Sequence, residues 1–191
     1  MLIKNEFQVA APVDKVWQYF GDIPQVAACL PGTELTDDLG GGTYAGRVAV
    51  RMGPVRLQFA GKADITERDE AAKRIVVNAA GAEERGRGQA TMVVTATLAP
   101  AGQGTKVSVA QDLQLSGAAA QYGRGMVSDV SAVLMRDFSV NLADRIDRAE
   151  RGEAIGPAAA PASGVTLGMR AALMALRRVF RRFFVPYQAA S

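Results

Sequence analysis

The chain has 191 residues, 49% of them hydrophobic, which suits one domain with a real core plus an appendage. It contains no histidine and one cysteine, Cys29, which excludes histidine general bases, His/Cys zinc sites and an internal disulfide, and fits a reducing compartment. Residues 1–151 hold 17 of the 22 basic and 18 of the 19 acidic side chains, a net −1, whereas residues 152–191 carry +4, so the basicity belongs to the tail and does not point to nucleic acid.

The N-terminal MLIKNEFQV carries charge where a secretory signal requires an apolar run. No stretch of 18 consecutive apolar residues occurs anywhere. The expectation is a cytoplasmic protein that neither spans the membrane nor leaves the cell by a cleaved signal.

Ile3, Phe7 and Val9 alternate with Lys4, Glu6 and Gln8, the period of a strand with one buried face. Pro12 sits where a first helical turn tolerates it, and Val13, Val16, Trp17 and Phe20 make a short amphipathic helix. Asp22 and Pro24 open a second short helix, which Pro31-Gly32 stops. Six further strands are predicted, over roughly 33–38, 43–52, 55–67, 73–84, 88–99 and 105–115. Gly40-Gly41-Gly42, Gly53-Pro54, Asp69-Glu70 and Ala101-Gly102 mark turns. The triple glycine lacks the Lys-Ser/Thr and helix of a phosphate loop.

Residues 118–150 read as one long helix of about nine turns. Tyr122, Met126, Val130, Val133, Leu134, Phe138, Leu142 and Ile146 form its apolar stripe. Arg124, Asp129, Arg136, Asp144 and Asp147 keep the other face wet. A one-sided sheet needs cover, and this helix is the available cover. The fold class is α+β: a curved seven-stranded antiparallel sheet wrapped around a long C-terminal helix.

After Arg151, GEAIGPAAAPASG (152–164) reads as a flexible linker. Residues 165–184 form an amphipathic segment, with Arg170, Arg177, Arg178, Arg181 and Arg182 in one sector. Met169, Leu173, Leu176, Val179, Phe180, Phe183 and Phe184 fall opposite. This pattern fits a helix lying in the plane of an anionic membrane; docking on the domain itself or on a partner is the alternative. The expected organisation is a domain of 1–151, a linker of 152–164 and a membrane-binding tail of 165–191.

Small side chains at Ala45, Ala79, Gly81, Ala90 and Ala96 leave room for an apolar pocket between helix and sheet. A solid core is the alternative. The expected ligand contacts are Tyr44, Val48, Val50, Leu57, Phe59, Met92 and Val94 from the sheet, with Tyr122, Met126, Val130 and Leu134 from the helix. Gln111, on the face of Val109 and Leu113, is the candidate for a ligand's polar head. Gly117, Gly123 and Gly125 either let the helix start shift as a portal or permit close packing. Cys29 reads as a small buried residue without a catalytic role, and Glu83-Glu84-Arg85 as a solvated rim, with a carboxylate pair for acid/base chemistry as the alternative.

The order strand, two short helices, six strands and long helix resembles the START-like (SRPBCC) helix-grip superfamily. Within it, Ala11-Pro12-Val13-Asp14-Lys15-Val16-Trp17, Ala28-Cys29-Leu30-Pro31-Gly32, Gly53-Pro54-Val55 and Leu115-Ser116-Gly117 resemble CoxG, a family of carbon monoxide dehydrogenase subunits, over about residues 1–150. The resemblance implies a non-catalytic accessory protein that tethers a molybdenum hydroxylase of the carbon monoxide dehydrogenase type to the inner face of the cytoplasmic membrane. It also implies carriage of a quinone, menaquinone or ubiquinone. A lipid or isoprenoid carrier without a partner enzyme is an alternative. So is a START-like cyclase or hydrolase, which would need a carboxylate or a tyrosine such as Tyr44 or Tyr122 in the pocket.

Overall fold

The structure, a computed structural model, describes residues 1–153. The linker beyond 153 and the tail of 165–191, with its arginines and apolar face, lie outside the described residues.

The elements are β1 (Leu2–Val9), α1 (Val13–Phe20), α2 (Ile23–Cys29), β2 (Thr33–Gly40), β3 (Thr43–Met52), β4 (Val55–Asp69), β5 (Arg74–Glu83), β6 (Gln89–Ala101), β7 (Gly104–Leu115) and α3 (Arg124–Glu150). All seven strands form one antiparallel sheet in the order β1-β7-β6-β5-β4-β3-β2. The predicted strands and both short helices are present. Register breaks in the β2–β3 and β4–β5 pairs bend the sheet. Gly61 serves the same bend: a Cβ there would lie 2.0 Å from the Ala80 carbonyl oxygen, so only glycine lets these strands approach.

The short helices close one end. Asp22 caps α2 by accepting from the Gln25 amide at 3.1 Å, and Pro24 takes a first-turn position whose amide has no helical partner. On α1, Val16, Trp17 and Phe20 turn inward. Trp17 donates its ring N–H to Glu70, and Arg68 and Lys73 lie over its ring at 5.3 and 5.6 Å. Cation–π attraction thereby ties α1 to the β4–β5 turn.

The long helix starts later than its composition suggests. Residues 117–121 make a 3₁₀ turn, Tyr122 is extended at ψ 115°, and α3 begins at Arg124. Gly117 at φ +65° breaks the chain direction first. The helix therefore has 27 residues, about seven and a half turns rather than nine.

Its inner face is also rotated slightly from the expected stripe. Val127, Val130, Ser131, Val133, Phe138, Leu142, Arg145 and Ile146 are buried, whereas Met126 is 43% exposed. Met126 and Val127 are both apolar and both neighbour Val130 on a helical net, so periodicity did not separate them. Ala45 is a second correction: it pairs with Lys62 on the outer face of the sheet and leaves no room inside.

The core divides into two clusters. The first joins Val9, Val16, Trp17, Phe20, Cys29, Ile75, Leu98, Val107, Phe138, Leu142 and Ile146, beneath α1 and α2. The second joins Ile3, Met52, Leu57, Ala119, Val127 and Val130, with Val50, Val55, Phe59, Leu113, Leu115, Tyr122 and Leu134 against it.

Candidate functional site: an apolar groove under the long helix

The sheet register fixes what faces the helix. Tyr44, Ala63, Ala79, Met92 and Leu113 form one row across four adjacent strand pairs, and Gly46, Gly61, Gly81 and Ala90 form the next. A row of glycine and alanine leaves a hollow where neighbouring rows carry side chains. Around it, Tyr44, Val48, Val50, Phe59, Met92 and Leu134 face inward but are only half-buried, whereas Leu57 and Val130 are buried. A glycine and alanine row beneath half-buried apolar walls is what a groove open to solvent under the helix requires, and this space is the candidate site.

Of the twelve ligand contacts expected from sequence, Val50, Leu57, Phe59, Tyr122, Val130 and Leu134 come together in the second cluster. Tyr44, Val48 and Met92 share the concave face outside both clusters. Val94 packs against the first cluster, at the closed end. Met126 is 43% exposed and lies outside both clusters.

A polar bridge separates the two clusters. Asn5 on β1 donates to Ser131 on α3, and Ser131 donates to Oε1 of Gln111 on β7, both at 3.1 Å. Gln111 and Ser131 are buried. Among the described residues, the Gln111 amide nitrogen has no hydrogen-bond partner. Its face was readable from alternation. Asn5 and Ser131 were not, because their partners are far away in sequence and small polar residues give no core signal.

Glu83 corrects the sequence reading more sharply. It is 3% exposed, on the concave face opposite Phe59, and is not a solvated rim residue. Arg87 donates to its Oε1 at 2.8 Å, and the Arg85 and Arg87 amides donate to Oε2 at 2.9 and 3.2 Å. The hydrogen bond from the Arg87 side chain, aided by these amides, holds the carboxyl well below its ordinary range, at about 2. It stays ionised near neutral pH, and so is no general acid.

A depressed folded-state pKa contributes stability that is complete above the ordinary carboxylate pKa and is lost as pH falls toward 2. Glu83→Gln should lower the melting temperature at neutral pH by roughly 5 °C. The gap to the parent should close below about pH 4.5. Thermal melts from pH 7 to 2 test this, and a gap that persists unchanged at the acid end would contradict it.

At the other end, Cys29 is fully buried. Its thiol donates to the Gln25 carbonyl at 3.3 Å, and its own carbonyl accepts from Asn141 at 2.9 Å. Burial pushes the thiol pKa up, which suppresses the reactive thiolate. The Tyr19 hydroxyl beside it is likewise pushed up by burial. Arg145 reaches Gln25 at 3.0 Å, so α2 is locked to α3 by polar contacts around the cysteine. This is packing chemistry, as expected for Cys29.

A shallow depression of about 260 Å³ lies on the outer face, lined by Asp64, Asn78, Thr91, Asp112 and Gln114 among others. It also touches Ala79 and Met92, which belong to the concave row.

Residues 6–147 match the family model for CoxG, a carbon monoxide dehydrogenase subunit. The chain belongs to the CoxG family. No curated protein matches it. Among solved structures, a conserved Geobacillus kaustophilus protein superposes with a TM-score of 0.69 at 18% identity, covering 78% of this chain and 97% of its own. The ZhuI aromatase/cyclase of a Streptomyces species gives a TM-score of 0.58 at 17% identity over 81% and 99% of the two chains. A Thermus thermophilus protein gives 0.56 at 18% identity over 78% and 99%. These likenesses establish the START-like helix-grip fold. Among the described residues of this CoxG protein, no helix is long and apolar enough to cross a membrane.

Proposed function

We propose that this CoxG-family protein is a non-catalytic accessory protein that holds a quinone, menaquinone or ubiquinone, in the groove. In this reading it recruits a carbon monoxide dehydrogenase-type molybdenum hydroxylase to the inner face of the cytoplasmic membrane. The domain of 1–151 carries the ligand, the linker of 152–164 gives reach, and the tail of 165–191 binds anionic lipid. The observation that carries this reading is a row of glycine and alanine beneath half-buried apolar side chains, with the unpartnered amide N–H of Gln111 at its inner end. A quinone is an apolar body with carbonyl acceptors, and Gln111 offers an N–H to such a carbonyl. The ligand would supply electron acceptance; the chain supplies only shape and a hydrogen bond. Glu83, ionised and held by Arg87, has no proton to donate, which favours carriage over cyclase or hydrolase chemistry.

Native mass spectrometry of the full chain purified in mild detergent should show a co-purifying quinone. Gln111→Leu removes the donor and keeps the volume; its quinone affinity should fall by about tenfold, the effect of one lost hydrogen bond. Unchanged affinity would move the polar head elsewhere. Capture of the hydroxylase by the immobilised full chain tests recruitment, and its absence would leave a quinone carrier without a partner enzyme.

A further inference from the structure

Several basic side chains near the closed end are paired with acids, whereas several arginines at the other end are not. At the closed end, Lys73 is shared by Asp14 and Glu70 at 3.0 and 2.7 Å, and Arg148 and Arg151 hold Asp144 and Asp147. At the opposite end lie the β3–β4 turn, the β5–β6 turn and the start of α3. Arg51 and Arg56 are directly paired across the β3–β4 hairpin, a position in which like charges repel. Arg87 donates to the Arg56 carbonyl at 2.8 Å, and the Arg87 carbonyl accepts from Ala119 at 3.3 Å. These bonds bring both turns beside the segment that leads into Arg124.

The carboxylates here are occupied: Glu83 by Arg87, Glu84 by Arg47 at 3.1 Å, and Asp112 by the amino terminus at 3.3 Å. Among the described residues, Arg51, Arg56, Arg85 and Arg124 form no ion pair. The first turn of α3 has no acid and starts with Arg124, so the helix dipole adds to the positive potential; Asp129 lies beyond that turn. Two large apolar side chains are exposed at this same end, Leu2 at 57% and Met126 at 43%.

We propose that this end is a second membrane contact, made by the domain itself, with the unmatched arginines at anionic lipid phosphates and Leu2 and Met126 at the acyl boundary. Cations spread over three separate chain segments, with apolar side chains among them, fit a planar headgroup layer better than a single anion pocket. Met52, Val55, Ala119 and Tyr122 of the second cluster lie at this end, so docking would face the groove toward the bilayer. That last consequence rests on the proposed quinone binding; the lipid contact does not.

Cys29 is fully buried, so a cysteine placed at Pro54 or at Asp38 of the full chain can be labelled selectively with an environment-sensitive dye. On phosphatidylglycerol-containing vesicles, the dye at 54 should be shielded from an aqueous quencher by about tenfold, and the dye at 38 should not. Combined Arg51→Gln, Arg56→Gln, Arg85→Gln and Arg124→Gln should remove the shielding at 54 while the chain stays vesicle-bound. Equal access of quencher to both dyes on bound protein overturns the proposal, as does shielding at 54 that survives the four substitutions. Shielding at 54 by the hydroxylase but not by vesicles would also overturn it, in favour of a protein partner. Quinone uptake measured on the same variants separates failure of this contact from failure of the groove.

Discussion

Leu134→Asp is expected to lower quinone affinity at least about 100-fold while the domain remains folded, because it sets an unpaired charge against an apolar ligand. Leu134 is half-buried and packs with the second cluster, so a charge there can reach solvent when the groove is empty. Leu142→Ala provides the contrast. Leu142 is 0% exposed in the first cluster, beneath the short helices, and its truncation should destabilise by about 2–5 kcal/mol. Its quinone affinity should stay unchanged at temperatures where the variant is folded, because the Asn5–Ser131–Gln111 bridge lies between that site and the groove. Titration of both variants with menaquinone, alongside urea melts, separates the two clusters. Equal affinity in Leu134→Asp and the parent would place the ligand elsewhere; loss of affinity in Leu142→Ala would show that the clusters act as one.

The sheet was legible because each strand has one wet face: Arg47, Arg51, Gln58 and Lys62 alternate with Val48, Val50, Phe59 and Gly61, and the period of two leaves little choice of face. Gln111 was placed inward by the same alternation. The start of the long helix was not legible, since Ala118, Ala119, Ala120 and Gln121 all favour helix and only backbone geometry at Gly117 and Tyr122 overrides them. Burial of Glu83 was hidden for another reason. A carboxylate next to Glu84 and Arg85 reads as surface until the turn brings Arg87 and two amides onto it. Ser131 shows the same limit, since its bonds to Asn5 and Gln111 exist only once β1, β7 and α3 are assembled.

Removing the tail should reduce binding to anionic vesicles by orders of magnitude. In residues 165–184, each Leu or Phe buried at the acyl boundary contributes ~1.5–3 kcal/mol and each arginine about 1 kcal/mol near anionic lipid, before the cost of ordering the segment. Leu173, Leu176, Phe180 and Phe183 would supply the first contribution and Arg170, Arg177, Arg178, Arg181 and Arg182 the second. A flexible linker over 152–164 would reach roughly 20 Å on average and about 45 Å when extended, so an anchored tail would hold the domain close without fixing its orientation. Because the arginine contribution is screened and the aromatic one is not, binding of the full chain should weaken with salt to a resistant remainder. A 1–164 truncation should keep only a weak attachment, lost at high salt, through the arginines of the domain. Co-sedimentation of both proteins across a salt series reads this directly, with circular dichroism of the tail peptide to detect helix formed on lipid. Equal binding by the two proteins would remove the tail as the anchor, and a tail peptide that prefers the truncated domain to vesicles would replace membrane attachment with self-docking.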